Sequence, residues 1–218
     1  MRFQSVVLVC WIFVQVCPAQ ARVLNRRVHG ARDAVKVELT GFAPNEEQTI
    51  ERALTFLAMR LAEIESDIPL PLSRFERCVA KYATKDFVVW DPRRSNLENK
   101  YANAYAVYAD LTRVVDYHVE SGLPVGIAAM TEPLSIWGRS MLGNRPAPDD
   151  VPDFYIELNQ VALRKYPQNI GSWAGTIVHE FLHRTGLTHP TGYPGSLISE
   201  AEGCFMRRFA DKPLSSPR

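Results

Sequence analysis

Within eleven residues the chain places three histidines, a glutamate and a glycine in the run His179-Glu180-Phe181-Leu182-His183-Arg184-Thr185-Gly186-Leu187-Thr188-His189. These residue types at this spacing can hold a transition metal and carry out hydrolysis beside it. On an α-helix, His179 and His183 stand four apart, so their imidazoles leave one face and can grip a single zinc at about 2.0–2.1 Å. Glu180 follows the first ligand and can reach a water on the metal without being a ligand itself. Gly186 can take the left-handed conformation that ends a helix, and the chain has to turn there for His189 to return as a third nitrogen. Three protein ligands leave a fourth position for water, which separates a catalytic zinc site from a closed structural one.

A bare His-Glu-x-x-His string also arises by chance on soluble helices. With 5 His and 12 Gly in 218 residues, requiring Gly186 and His189 as well makes the match roughly eight-hundred-fold rarer, which favours a metal site over coincidence. The pattern H-E-x-x-H-x-x-G-x-x-H is that of the metzincin metallopeptidases, and this segment resembles it at every fixed position. The resemblance implies that His179, His183 and His189 bind one zinc and that Glu180 is the general base and acid. It also implies a methionine in a tight turn under the metal, for which Met206 is the one methionine after His189. Cys204-Phe205-Met206-Arg207 is similar to that turn in the adamalysins, whereas His189-Pro190 followed by Tyr193 is similar to the serralysins. The subfamily is therefore left unassigned. Ser199-x-x-Glu202 reads in addition as a capping box, which would put Met206 on a helix instead of in a turn.

For such a site the expected reaction is attack of a zinc-bound water, its pKa lowered toward ~7, on a peptide carbonyl with Glu180 taking the proton. Tyr193 is a candidate hydrogen-bond donor to the developing oxyanion, with a packed loop tyrosine as the alternative. Substrate would lie extended along an edge strand above the zinc helix, with Asn159 and the strand 154–158 bordering the cleft. His118 and His29 read as structural and surface histidines, and Asp149-Asp150 as a solvated turn. Trp90, Trp137 and Trp173 read as core residues.

Elements must position these groups. Val35 to Leu39 alternates as a strand, and Ile50, Leu54, Leu57, Leu61 and Ile64 repeat at helical spacing up to about Ser66. Pro69 and Pro71 separate this helix from a second one that begins at Ser73 with Glu76 three residues on. Phe87 to Trp90 reads as a buried strand, Tyr101 to Val119 as strand with helix as the alternative, and Gly126 to Met130 and Phe154 to Leu158 as strands. Residues 144–152, rich in Pro and Asp, read as a surface loop. Ser172 is the expected cap of a zinc helix from Trp173 to Thr185, whose stripe of Trp173, Ile177, Val178, Phe181 and Leu182 faces the core. The order predicts an α/β (α+β) domain. It is compatible with a metzincin-like one, in which a twisted mixed sheet is backed by two long helices and a small C-terminal subdomain follows the glycine.

At 46% hydrophobic and 22% charged, the chain is long enough for one domain, taken as residues 34–218 after a short basic segment over 22–33. Residues 1–21 read as a secretory signal: Arg2, an apolar run from Val6 to Val16, and the cleavage site Ala19-Gln20-Ala21. That run is too short to span a bilayer, and the expected product is a monomer exported to the periplasm or exterior without membrane insertion. Removal of Arg2 leaves a mature chain near neutrality, which argues against nucleic acid as a partner. Only Cys78 and Cys204 remain, and in an oxidising compartment they are expected to form one disulfide, two buried free thiols being the alternative. The function these features favour is a secreted zinc endopeptidase acting on proteins or peptides. The alternatives are a non-catalytic secreted binding module stabilised by zinc and a zinc hydrolase of non-peptide amides.

Overall fold

Ser95 starts the longest helix among the described residues. The computed structural model describes residues 22–27, 34–67, 73–140 and 154–210. In it the elements run β1 (Arg22–Arg27), β2 (Ala34–Thr40), α1 (Pro44–Asp67), α2 (Arg74–Tyr82), α3 (Asn96–Ser121), β3 (Val125–Met130), β4 (Gly138–Arg139), β5 (Tyr155–Asn159), α4 (Gln160–Lys165), α5 (Ile170–Arg184) and α6 (Leu197–Met206). The stretch 101–119 is thus helical, against the strand expected from its alternating Ala and Tyr. A capping box decides it: Ser95 Oγ accepts from Glu98 N, and Glu98 Oε2 accepts from Ser95 N. Ala104, Val107, Leu111, Val114 and His118 then fall on one buried face at helical spacing, while Tyr105 stays outside.

This helix also explains why Phe87 to Trp90 is not a strand. Two buried asparagines of α3 take over the hydrogen bonds a neighbouring strand would have made. Asn103 Oδ1 accepts from Val88 N at 2.7 Å and Val89 N at 3.0 Å, and its Nδ2 donates to Val89 O at 2.7 Å. Asn99 does the same for Asp91, accepting from its N and donating to its O. With its backbone satisfied from one side, the segment lies on the surface, and Trp90 is 59% exposed instead of in the core. Its ring stacks on Phe87 at 6.4 Å.

The five-stranded sheet has the order β1-β2-β3-β5-β4, parallel through β2, β3 and β5 and antiparallel at both edges. Residues 22–27, expected to be irregular, are the strand β1. It pairs with β2 from Arg22↔Leu39 to Arg27↔Ala34 and satisfies a row of main-chain groups that would otherwise stay open. One face of the sheet is apolar, with Val35, Val37, Leu39, Val125, Ile127, Ile156 and Leu158 buried. On the other face Lys36 and Tyr155 meet solvent. Helices α1, α3 and α5 cover the apolar face, and an apolar cavity of ≈ 70 Å³ remains among Val37, Leu57, Leu111, Phe154 and Phe181. The architecture is mixed α and β, a sheet with one covered face.

Three strands, two helices and the disulfide follow the sequence expectations. The strands at 35–39, 126–130 and 154–158 are β2, β3 and β5, each shifted by a residue or so, and α1 buries Ile50, Leu54, Leu57, Leu61 and Ile64. Ser73 and Glu76 cap α2 reciprocally, as read. Cys78 of α2 and Cys204 of α6 form the expected disulfide across a separation of 126 residues. Among the described residues no helix is long and apolar enough to cross a membrane. The signal at 1–21, His29, Pro69, Pro71 and the loop 144–152 with Asp149 and Asp150 lie outside the described residues.

Candidate metal centre

Helix α5 carries the motif, and it begins earlier than Ser172. Its first residue is Ile170, and the N-cap Asn169 makes no side-chain capping bond. Packing substitutes for the cap: Trp173 is fully buried, stacks on Trp137 at 4.5 Å, and donates its indole N–H to Tyr166 O at 3.0 Å. Trp137 is itself half-buried. Trp173, Ile177, Val178 and Leu182 are all fully buried, so the ligands ride on an element fixed by the core.

At the other end Gly186 takes φ +88°, a conformation L side chains rarely adopt. Gly186 N donates to His183 O at 3.0 Å and Leu187 N to Leu182 O at 3.1 Å, the paired bonds of a Schellman cap. The reversal brings His189 back over the helix as expected. It also presents Leu187 O to His183 Nδ1 at 2.9 Å, so a single turn ends the helix and orients a ligand.

The three Nε2 atoms converge. His189 Nε2 lies 3.3 Å from His179 Nε2 and 3.2 Å from His183 Nε2, and the three candidate ligand atoms are within 4.8 Å of one another. Tetrahedral ligands at the zinc–nitrogen distance stand about 3.3 Å apart, which the two distances to His189 match. Protonation fits too. His179 Nδ1 faces Glu202 Oε2 at 3.0 Å and His183 Nδ1 faces a carbonyl, so both rings donate from Nδ1 and, when neutral, turn a lone pair inward. His189 has one Nε2 position and can satisfy at most one of those lone pairs, whereas a cation satisfies all three. Burial holds the His183 imidazole down at about 4 and also lowers His189, which keeps both neutral and ready to coordinate at neutral pH.

Glu180 lies beside this cluster and does not join it. It is 7% exposed, and burial raises its carboxyl above the usual glutamate range, against the opposing pull of His179 and of a hydrogen bond from Ser140. Ser140 Oγ donates to its Oε2 at 3.0 Å. The short edge strand β4 presses on the same side chain: a Cβ added at Gly138 would come within 2.8 Å of Glu180 Cγ and 2.7 Å of Thr176 Cγ2. Glu180 and His179 open on a cleft of ≈ 620 Å³ that runs along α5 past Thr176 to Ser172, with Gly138, Trp137, Tyr193 and Met206 among its walls.

The supporting residues depart further from expectation. Tyr193 stacks on His179 at 5.2 Å and 12° and lies tilted at 43° against His189 at 4.4 Å, while remaining 48% exposed in the cleft wall. Met206 is the last residue of α6, not part of a turn, because Ser196 caps that helix through Ser199 N and it propagates without a break. The helix reading of this segment was right and its cap was not, since Glu202 turns to His179 instead of to the helix start. Met206 packs one turn before His179, against Gly175, where a Cβ would meet its Cγ at 2.5 Å. Asn159 does not border the cleft. It is fully buried, caps α4, and donates to Glu132 O, Pro133 O and Ile136 O, shaping the loop that leads into β4. His118 is structural, with Nδ1 on Leu123 O.

Three groups were not foreseen from sequence. Ser140 and Glu202 are described above. The third is a clasp on the loop that bears His189: Lys85 Nζ donates to Thr191 O, Thr191 Oγ1 donates to Asp86, and Thr84 N donates to Gly195 O. Asp86 sits at φ +59°, a strained position that the clasp over-determines. The i, i+4 spacing of Glu202 and Met206 was the only signal available for any of these.

Comparison with family models, with curated proteins and with solved structures gives no match to this chain. The site and the fold therefore define its class on their own terms: a mixed α and β protein with a three-histidine centre that could bind a metal ion, beside a buried glutamate and an edge strand.

Proposed function

We propose that the chain is a secreted zinc-dependent endopeptidase of the metzincin type, with His179, His183 and His189 as ligands and Glu180 as general base. The observation that carries this reading is the convergence of three imidazole nitrogens beside a glutamate that is not a ligand, with His179 and that glutamate lining one cleft. Zinc held by three neutral imidazoles would supply a Lewis acid that polarises a carbonyl and lowers the pKa of water. The donor set of nitrogen without thiolate or extra carboxylate suits that metal.

The chain's own residues supply the rest. Glu180 has Oε2 engaged with Ser140 and Oε1 turned toward Gly138, so Oε1 is the atom that accepts the water's proton and delivers it to the leaving amine. Burial raises its proton affinity toward that of a useful acid and base. The edge strand β4, antiparallel to β5, offers main-chain groups on its outer side, which an extended peptide can pair with. Gly138 brings that strand against Glu180, which sets the scissile bond close to the base. Tyr193 walls the cleft and holds the faces of two ligands.

The disulfide and the amino-terminal signal pattern support export, with the mature chain beginning at Arg22. A purely structural zinc module has no need of a buried glutamate opening on a cleft. The test is reconstitution. Dialysis against a chelator should abolish cleavage of an unstructured protein, and one equivalent of zinc should restore it. Full zinc occupancy and a large gain of thermal stability with no cleavage of any peptide library would instead mark a binding module.

A further inference from the structure

We infer that Glu202 is a positioning residue of the metal site: its carboxylate, delivered by α6, holds the His179 ring in the orientation and tautomer that present Nε2 to the ion. This deepens the metalloenzyme reading above and rests on it.

Glu202 Oε2 lies 3.0 Å from His179 Nδ1. Of the three ring systems, His183 is oriented by a main-chain carbonyl, and His179 alone among the described residues has a carboxylate on its outer nitrogen. A carboxylate there fixes the proton on Nδ1, stops the ring from turning about its bond to Cβ, and makes Nε2 a stronger donor to a cation. The path from α6 to α5 is built for it. Gly175 stands one turn before His179, and a Cβ at that position would come within 3.1 Å of Glu202 Cγ and 3.0 Å of Met206 Sδ. The missing side chain lets the glutamate cross to the histidine, with Met206 packed one turn further along the same face of α6. The helix that carries it is held at both ends, by the Ser196 cap and by the disulfide at Cys204. Glu202 is not needed to cap that helix, which Ser196 already does, so its placement is not explained by helix formation.

The experiment measures the zinc dissociation constant by competition with a chromophoric chelator, for the full chain and its Glu202→Ala and Glu202→Gln variants. Ring nitrogen NMR of the metal-free proteins reports the His179 tautomer, which mere loss of packing would not change. Glu202→Ala should bind zinc about 10–100-fold more weakly and show a mixed His179 tautomer. Glu202→Gln, which keeps an acceptor but no charge, should recover part of the affinity and keep the proton on Nδ1. If Glu202→Ala does not fold, the near-isosteric Gln variant decides alone, with a severalfold loss expected. Zinc affinity within twofold of the wild type in the folded variants, with an unchanged tautomer, overturns the role of Glu202 and leaves the metal site standing. A wild-type chain that binds no zinc overturns both.

Discussion

His179 and His183 each use their two nitrogens differently, and the outer one decides what the inner one can do. The spacing of His179, His183 and His189 was legible in the sequence because helical geometry and a glycine turn follow from local rules. Their outer partners were not, since Leu187 O exists only once the turn forms and Glu202 arrives from a separate helix. Protonation gives a test at this scale. The folded His183 pKa of about 4 lies below the ordinary 6.5, so the folded metal-free state binds fewer protons than the unfolded one. The stability this contributes is present above pH 6.5 and is lost as pH falls toward 4, on the order of 3 kcal/mol across the window. Thermal melts of the chelated protein between pH 7.5 and 4.5 should show the loss, and it should be smaller in His183→Asn; equal pH dependence in the two would contradict it. Gly138→Ala makes a second test. It should push Glu180 aside and lower turnover at least tenfold while zinc affinity, by chelator competition, stays within twofold.

At the scale of elements, short-range patterns were read well where they were redundant. The capping box at Ser73 and the apolar stripe of α1 each carry several agreeing signals, and both elements form as expected. The reading failed for α3, where Ala and Tyr at alternate positions imitate a strand while the Ser95 and Glu98 box says helix. It failed for 87–90 because side chains of α3 took over the strand's hydrogen bonds, which no local pattern encodes. The disulfide, by contrast, followed from counting the cysteines. It joins α2 to α6. Residues 84–86 after α2 clasp the His189 loop, and α6 bears Glu202, so the bridge braces two supports of the centre. The double variant Cys78→Ser, Cys204→Ser should lose about 4–5 kcal/mol of stability in urea denaturation, from restored chain entropy over the long loop. A loss below about 1 kcal/mol would show that packing alone holds the two helices.

For the whole molecule, composition and order indicated a mixed α and β fold, and the sheet with one covered face agrees. What composition could not indicate is how well the layers fill. The apolar cavity between the sheet and the helices has Ala58 in its wall, so Ala58→Val should stabilise the protein by about 0.5–2 kcal/mol without altering zinc binding. A lowered Tm would mean the wall cannot accept the added methyl groups. The overall plan places a core-packed helix beneath a cleft with an edge strand at its rim, an arrangement compatible with the proposed hydrolysis of extended peptides.

The most direct test compares the initial rate of cleavage of an unstructured protein by zinc-loaded wild type and by zinc-loaded Glu180→Gln at neutral pH. The substitution keeps size and hydrogen bonding but removes the proton acceptor. With zinc content equal in both, the rate should fall by about 10²–10⁴. Equal rates would contradict the assignment of Glu180 as the base.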